Sequence, residues 1–273
     1  MAIRRLSKAK PSVRTLVLVL LLVAGTGALR AAVEHRHDAF AKTVQPFLNI
    51  FAKERKSEDR AFTLKFRIEK STDLPAEMLG QQAEMAVQVP DKLRLRGPLF
   101  GEIFTLVRDG EKIWISPGSK ARALLNAATT GKELPPPDKK AKLTEFELPF
   151  SEKNLVFLPA LFAVKDLGFE PLDGVECRVE DITLMPELAD QVKTDGWIAR
   201  LWITPDHKPA RVTVARKGWN IVARIDAVQF AKQLPADTWK PAPEEQADLL
   251  ELNPQEYDRF LSALAGTRGR KAR

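Results

Sequence analysis

The chain has 273 residues, 44% hydrophobic and 29% charged, which suits one large domain or two small ones with a substantial core. The formal charge of +7 is unevenly spread: five of the 43 basic residues and none of the 36 acidic ones fall in residues 1–28, leaving 38 to 36 elsewhere. That near-balance removes the main support for nucleic-acid binding, and the sole cysteine, Cys177, excludes an internal disulfide.

Residues 1–28 have the three parts of a secretory signal. Arg4, Arg5, Lys8, Lys10 and Arg14 precede the apolar run Leu16–Ala24, and the small residues Gly25, Thr26, Gly27 and Ala28 follow. Cleavage is expected after Ala28, with Ala31 as a second candidate. An uncleaved anchor stays open, although the run falls short of the about 20 apolar residues that span a bilayer. The expected location is the periplasm. The mature part, 29–273, reads as a single domain, because no internal linker is long enough to divide it.

Phe40, Val44, Phe47, Leu48 and Phe51 make one apolar stripe at helical spacing. Pro46 lies within it and predicts a kink or two short helices. The period then changes to two. Phe62, Leu64, Phe66 and Ile68 alternate with Thr63, Lys65, Arg67 and Glu69; Met85, Val87 and Val89 follow, then Leu93 and Leu95. Ile103–Val107 leads into Asp109-Gly110, and Lys112–Ile115 resumes beyond it, a hairpin signal. With no helical pattern between them, these strands predict an antiparallel meander.

Next comes a helical insert, about 117–170. Ser119–Ala128 predicts a short helix with Leu124 and Leu125. Lys132–Lys142, with Pro135-Pro136-Pro137, predicts an extended exposed loop, and the apolar stretch Asn154–Leu167 a mostly helical segment. Strands return at Val175–Val179, Ile198–Ile203, Arg211–Lys217 and Asn220–Phe230. Asn253, Pro254 and Glu256 then open a terminal helix, about 253–265, carrying Tyr257, Phe260, Leu261 and Leu264. Arg268, Arg270, Lys271 and Arg273 form a basic tail, a solvated end by the usual behaviour of charge runs.

Little of this sequence carries reactive chemistry. His35 and His37 stand alone near the start and His207 falls in a turn, too few for a zinc site. Cys177 lies on an apolar strand face, which points to an inert buried thiol. There is no nucleophile elbow and no phosphate-cradling glycine loop. The acidic pairs, such as Glu58-Asp59, sit in polar stretches. The expectation is a binder, with no catalytic residue, no metal site and no cofactor. Fourteen phenylalanines and five tryptophans against one tyrosine suit a surface that needs no hydrogen-bond partner. A dry core and an acyl-chain pocket fit that surface equally, and the insert reads equally as a lid or as an ordinary covering helix.

Four stretches resemble the periplasmic lipoprotein carriers of the LolA/LolB type: Pro90–Leu95, Arg108–Ile115, Leu201–Ile203 with Pro209, and Leu234–Pro241, where the family usually has phenylalanine at the position of Trp239. The resemblance implies an α+β fold, a strongly curved antiparallel sheet forming an incomplete barrel closed by helices. It also implies a monomeric carrier that takes the acyl chains of a lipoprotein or lipid from an inner-membrane donor to an outer-membrane acceptor. The candidate cavity residues are Phe62, Leu64, Phe66, Leu93, Leu95, Phe104, Leu106 and Trp114 from the sheet, with Leu124, Leu158 and Phe162 from the lid. In the family a basic residue before the proline of the first stretch helps to latch the lid. Here that position is Val89. The alternative is an envelope sensor or scaffold using the same sheet to bind a protein, with the basic tail and terminal helix as partner surface.

Overall fold

The computed structural model describes residues 38–54, 57–72, 74, 76–99, 101–129, 143–186, 188–189 and 196–266. The expected signal, the His35 and His37 pair, the proline loop and the basic tail lie outside these residues. No helix among the described residues is long and apolar enough to cross a membrane.

Helix α1 (Asp38–Phe51) is followed by β1 (Ala52–Glu54), then β2 (Ala61–Ser71), β3 (Gln82–Gln88), β4 (Lys92–Leu99), β5 (Glu102–Asp109) and β6 (Lys112–Ser116). Helix α2 (Gly118–Thr129), β7 (Leu148–Ser151) and the single turn α3 (Glu152–Leu155) form the middle. Then come β8 (Phe162–Leu172), β9 (Val175–Leu184), β10 (Ile198–Ile203), β11 (Pro209–Arg216) and β12 (Trp219–Ala231). The turn α4 (Pro243–Gln246), β13 (Leu250–Leu252) and helix α5 (Pro254–Gly266) end the described chain.

Eleven strands make one antiparallel sheet in the order β13-β6-β5-β4-β3-β2-β12-β11-β10-β9-β8, open at β13 and β8; β1 and β7 form a separate parallel pair. The α+β class and the meander agree with the sequence. The two meanders join where β12 pairs with β2, matching Phe230 to Phe62, Val228 to Leu64 and Ile225 to Phe66. Register slips by one residue at Asp226, and the bulge keeps apolar side chains on one face despite the lost alternation. At the β5–β6 turn, Gly110 takes φ +65°, a left-handed conformation that glycine adopts without steric cost.

Two predicted elements differ. Helix α1 runs unbroken through Pro46. Pro46 and Lys42 both face solvent, so the Lys42 carbonyl that loses its helical partner is on the side open to water. The stretch 154–167 is not mostly helical, and the helical insert is shorter than 117–170. After α3 a 3-10 turn, Leu158–Leu161, contains Pro159, and β8 begins at Phe162. Phe162 and Val164 point one way and Ala163 and Lys165 the other, and pairing with β9 turns that short alternation into a strand.

Candidate ligand-binding face

Following the register across the sheet assigns each side chain to a face. Phe62, Leu64, Phe66 and Ile68 share the inner face with Met85 and Val87, Leu93 and Leu95, and Phe104 and Leu106. Helices cover this face at both ends. The first half of α1 sets Ala39 and Phe40 on Ile182, Leu201 and Ile203, with Phe162 and Val164 packed alongside. Its second half places Ile50, Phe47 and Phe51 against Phe62, Val87, Val89 and Phe230. The Phe47 ring lies 5.3 Å from Phe62 and 5.0 Å from Phe230, both edge-on. At the far end Tyr257 and Phe260 of α5 and Ala121 of α2 bury Phe104, Leu106, Ile113 and Ile115.

The candidate residues are therefore divided among several environments. Phe62, Phe104 and Leu106 are core, each at most 6% exposed and packed on protein. Leu64, Leu93, Leu95 and Leu124 are half-buried at the margins of the packed clusters. Phe162 meets Phe40 from a strand, 5.7 Å between centroids, and Leu158 is half-buried on the 3-10 turn. Trp114 is misplaced by the sequence reading. It pairs with Val107 on the opposite, outer face and packs with Ala86, Val107 and Trp239. The Leu106–Ile115 pair shows why: Ile113 and Ile115 take the inner side of β6, so the intervening tryptophan must point out.

Between the helix-covered ends runs a band that belongs to none of these clusters. Phe66 and Ile68 on β2 and Ile221, Ala223, Ile225 and Val228 on β12 share the inner face and are all half-buried. Sequence reasoning named only Phe66 of this band. The alternation of Ile221, Ala223 and Ile225 was a signal for the rest, but only the β2–β12 pairing brings them beside Phe66.

A strap crosses the same face. Arg108, 4% exposed, donates from Nη1 to the Thr144 carbonyl at 2.7 Å and from Nε to the Gly110 carbonyl at 3.2 Å, and its guanidinium lies 4.8 Å from the Phe146 ring. The Phe146 amide donates to the Pro90 carbonyl at 2.7 Å, and the chain continues into β7 against β1. Val89 is buried under α1, so the anchoring charge comes from a strand two removed from β3. The sequence carried a signal: Arg108 continues the inward series Phe104, Leu106.

On the outer face a cavity of about 630 Å³ lies between the sheet and segment 237–242, lined by Thr63, Lys65, Glu84, Ala86, Arg94 and Gln229 among others. Arg94 lines it and is paired with Glu245 behind the wall. Arg94 Nη2 lies 2.9 Å from Glu245 Oε1, and Arg94 Nη1 donates to the Thr238 and Lys240 carbonyls. Thr105 Oγ1 and the Ala242 amide also donate to the Glu245 carboxylate, at 2.6 and 2.9 Å. These groups already satisfy one another, so this corner fastens the closing segment to the sheet.

Two buried groups remain. Cys177 is fully buried beside Leu172, Val179 and Trp202, and burial pushes its thiol pKa up, as an inert thiol requires. Glu180 is fully buried on the inner face under the start of α1. Arg178 Nε lies 3.0 Å from it, yet neither carboxylate oxygen has a well-aligned hydrogen bond. Burial raises its pKa, and Arg178 and the nearby Phe40 amide offset that only in part.

No family model matches this sequence, and no curated protein does. Several solved structures align with much of this chain, a LolA superfamily protein among them. Lipoprotein LppX of Mycobacterium tuberculosis is 12% identical over 73% of this chain and 97% of its own, with a TM-score of 0.39. MucB is 13% identical over 77% of this chain and 65% of its own, with a TM-score of 0.41; it has also been solved in complex with MucA. A LolA superfamily protein from Nitrosomonas europaea is 11% identical over 73% and 98%, with a TM-score of 0.28. At such low identities and scores, what those proteins bind does not transfer to this chain through the likeness.

Proposed function

We propose that this chain is a monomeric envelope protein that holds acyl chains on the inner face of its sheet. It would act in the periplasm, taking a lipid or lipoprotein from an inner-membrane donor toward an outer-membrane acceptor. The observation that carries this reading is the half-buried band Phe66, Ile68, Ile221, Ala223, Ile225 and Val228, an apolar strip left outside the packed clusters on either side. Each methylene moved from water onto such a strip contributes roughly 0.8 kcal/mol, so one long chain supplies micromolar binding and two or three make release slow without help. The strap held by Arg108 crosses the same face over the neighbouring Phe62, Val87 and Val89 cluster, so it bounds the strip at that end. The test is mass spectrometry of protein purified without detergent, with displacement of a fluorescent fatty acid in parallel. Co-purified lipid and saturable displacement are expected. Absence of both would end the carrier reading.

A second reading, a scaffold for a protein partner, is favoured by one observation. On the edge strand β8, Phe169 is 64% exposed and Leu167 is exposed beside it. Pulldown from envelope extract with wild type and Phe169→Asp separates the two. A specific partner lost in the variant, with no lipid bound, supports the scaffold.

A further inference from the structure

The band on β12 ends in a polar group of unusual composition. Register places Arg216 of β11 opposite Trp219 of β12, on the same inner face as Val214 and Ile221. Trp197, immediately before β10, lies on the other side of Arg216, since Ile198 pairs with Ala215. The Trp197 and Trp219 rings are 5.3 Å apart at 66°, and the Arg216 guanidinium stands 4.9 Å from the Trp197 ring. Both tryptophans are half-buried, and Arg216 is exposed.

Among the described residues this row has no carboxylate; Arg60, Arg122 and Arg259 also lack one, but only here do two indole donors stand beside the cation. Arg94, Arg178, Arg200, Arg211 and Arg224 each have a carboxylate oxygen at 2.6–2.9 Å. Among the described residues Arg216 has none, and the next residue, Lys217, has none either. Trp114 and Trp202 donate their indole N–H to Trp239 O and Glu170 Oε2. The indoles of Trp197 and Trp219 have no such protein acceptor among the described residues. Two indole donors and a guanidinium with no carboxylate partner among the described residues thus meet at the open end of an apolar strip. Indoles favour boundaries where one side is apolar and the other wet, and a guanidinium matches the planar fork of a phosphate or carboxylate.

We propose that Trp197, Arg216 and Trp219 form a head-group site for an anionic acyl lipid, whose chain lies along Ile221, Ala223, Ile225 and Phe66. From Trp219 to Ile225 the strand advances about 20 Å at 3.3 Å per residue, room for most of one extended chain. The inference rests on the acyl-binding reading and adds the charge of the ligand to it.

The experiment compares two ligands with the same palmitoyl chain, anionic lysophosphatidylglycerol and neutral monopalmitoylglycerol. Each displaces a fluorescent fatty acid from the full chain, wild type and Arg216→Gln. Wild type should bind the anionic ligand about tenfold more tightly, a difference of about 1.4 kcal/mol, and Arg216→Gln should abolish that preference while leaving the neutral affinity unchanged. Because Arg216 is exposed, the variant should keep the wild-type circular dichroism spectrum, and Trp219→Phe, which keeps an aromatic ring but loses the indole N–H, should weaken the anionic ligand more than the neutral one. Equal binding of both ligands to wild type, or an undiminished preference in Arg216→Gln, overturns the head-group site and leaves the acyl-binding reading standing. Binding of neither ligand removes both. Inorganic phosphate alone, followed by tryptophan fluorescence, should bind only at high millimolar concentration; micromolar saturation would mean an anion site without a lipid and would overturn the proposal.

Discussion

Glu245 shows how one carboxylate can hold a segment in place. Its side chain is 9% exposed and gathers Arg94, the Thr105 hydroxyl and the Ala242 amide. Truncation by Glu245→Ala leaves Arg94 without its counter-charge in a mostly buried position, a loss of about 3 kcal/mol. The urea midpoint should fall accordingly at unchanged slope, and a shift within error would mean the closing segment is held elsewhere. Glu180 gives the opposite sign. Burial raises its folded pKa above the unfolded value, so the folded state holds the proton more tightly. Stability from this group is greatest below the unfolded carboxylate pKa and is lost as pH rises through the folded one. Asp166, Asp38 and Arg178 face it and set how far the window extends. Glu180→Gln should therefore flatten the stability profile between pH 4 and 8 and leave the variant no less stable than wild type at the upper end. Chemical denaturation across that range checks the sign, and a steeper profile in the variant would contradict it. Neither carboxylate was legible as buried, because both sit in sequence contexts typical of solvated charge.

Among the elements, the strap and the two helical caps differ in how firmly they are built. Helix α5 starts on a complete cap. Asn253 Oδ1 accepts from the Gln255 and Glu256 amides, and Glu256 returns the contact to the Asn253 amide, all at 2.9–3.0 Å. Phe260 then buries to 1% exposure against the sheet, so one face of the terminal helix is part of the core while Asp258 and Leu261 stay exposed on the other. Next to it Gly118 has no room for a side chain, since a Cβ there would lie 2.7 Å from the Leu250 amide nitrogen. The strap is fastened to the sheet at Arg108 and at the Pro90 carbonyl. Arg108→Ala should cost about 2 kcal/mol through its buried charge-assisted hydrogen bond and raise hydrogen exchange at Phe146 and through β7. Unchanged exchange at Phe146 would show that the Pro90 carbonyl alone suffices. The helix-to-strand correction at β8 also belongs to this scale. An apolar run of Leu, Val and Phe fits either structure, and the partner strand decides between them.

For the whole molecule, the face of the sheet decides what a substitution does. Phe66→Glu or Ile225→Glu places a charge on the open band and should weaken fatty-acid binding at least tenfold with the circular dichroism spectrum intact. Trp114→Ala, on the outer face, should lower stability by about 3 kcal/mol and leave the affinity of the folded protein unchanged. Fluorescence titration of the three variants tests the assignment, and equal losses from both faces would break it.

Local periodicity was enough to read most strands, the Asp109-Gly110 hairpin, α1 and the cap of α5, because alternation and capping are properties of neighbours in the chain. It also marked Phe62, Leu64, Phe66, Leu93 and Leu95 as one face. It could not divide that face into core and open band. Whether Phe62 touches a ligand or Phe47 depends on where α1 crosses the sheet, and whether Phe66 has neighbours depends on β12, which follows more than 150 residues later. Those are long-range pairings, settled only when the two meanders join.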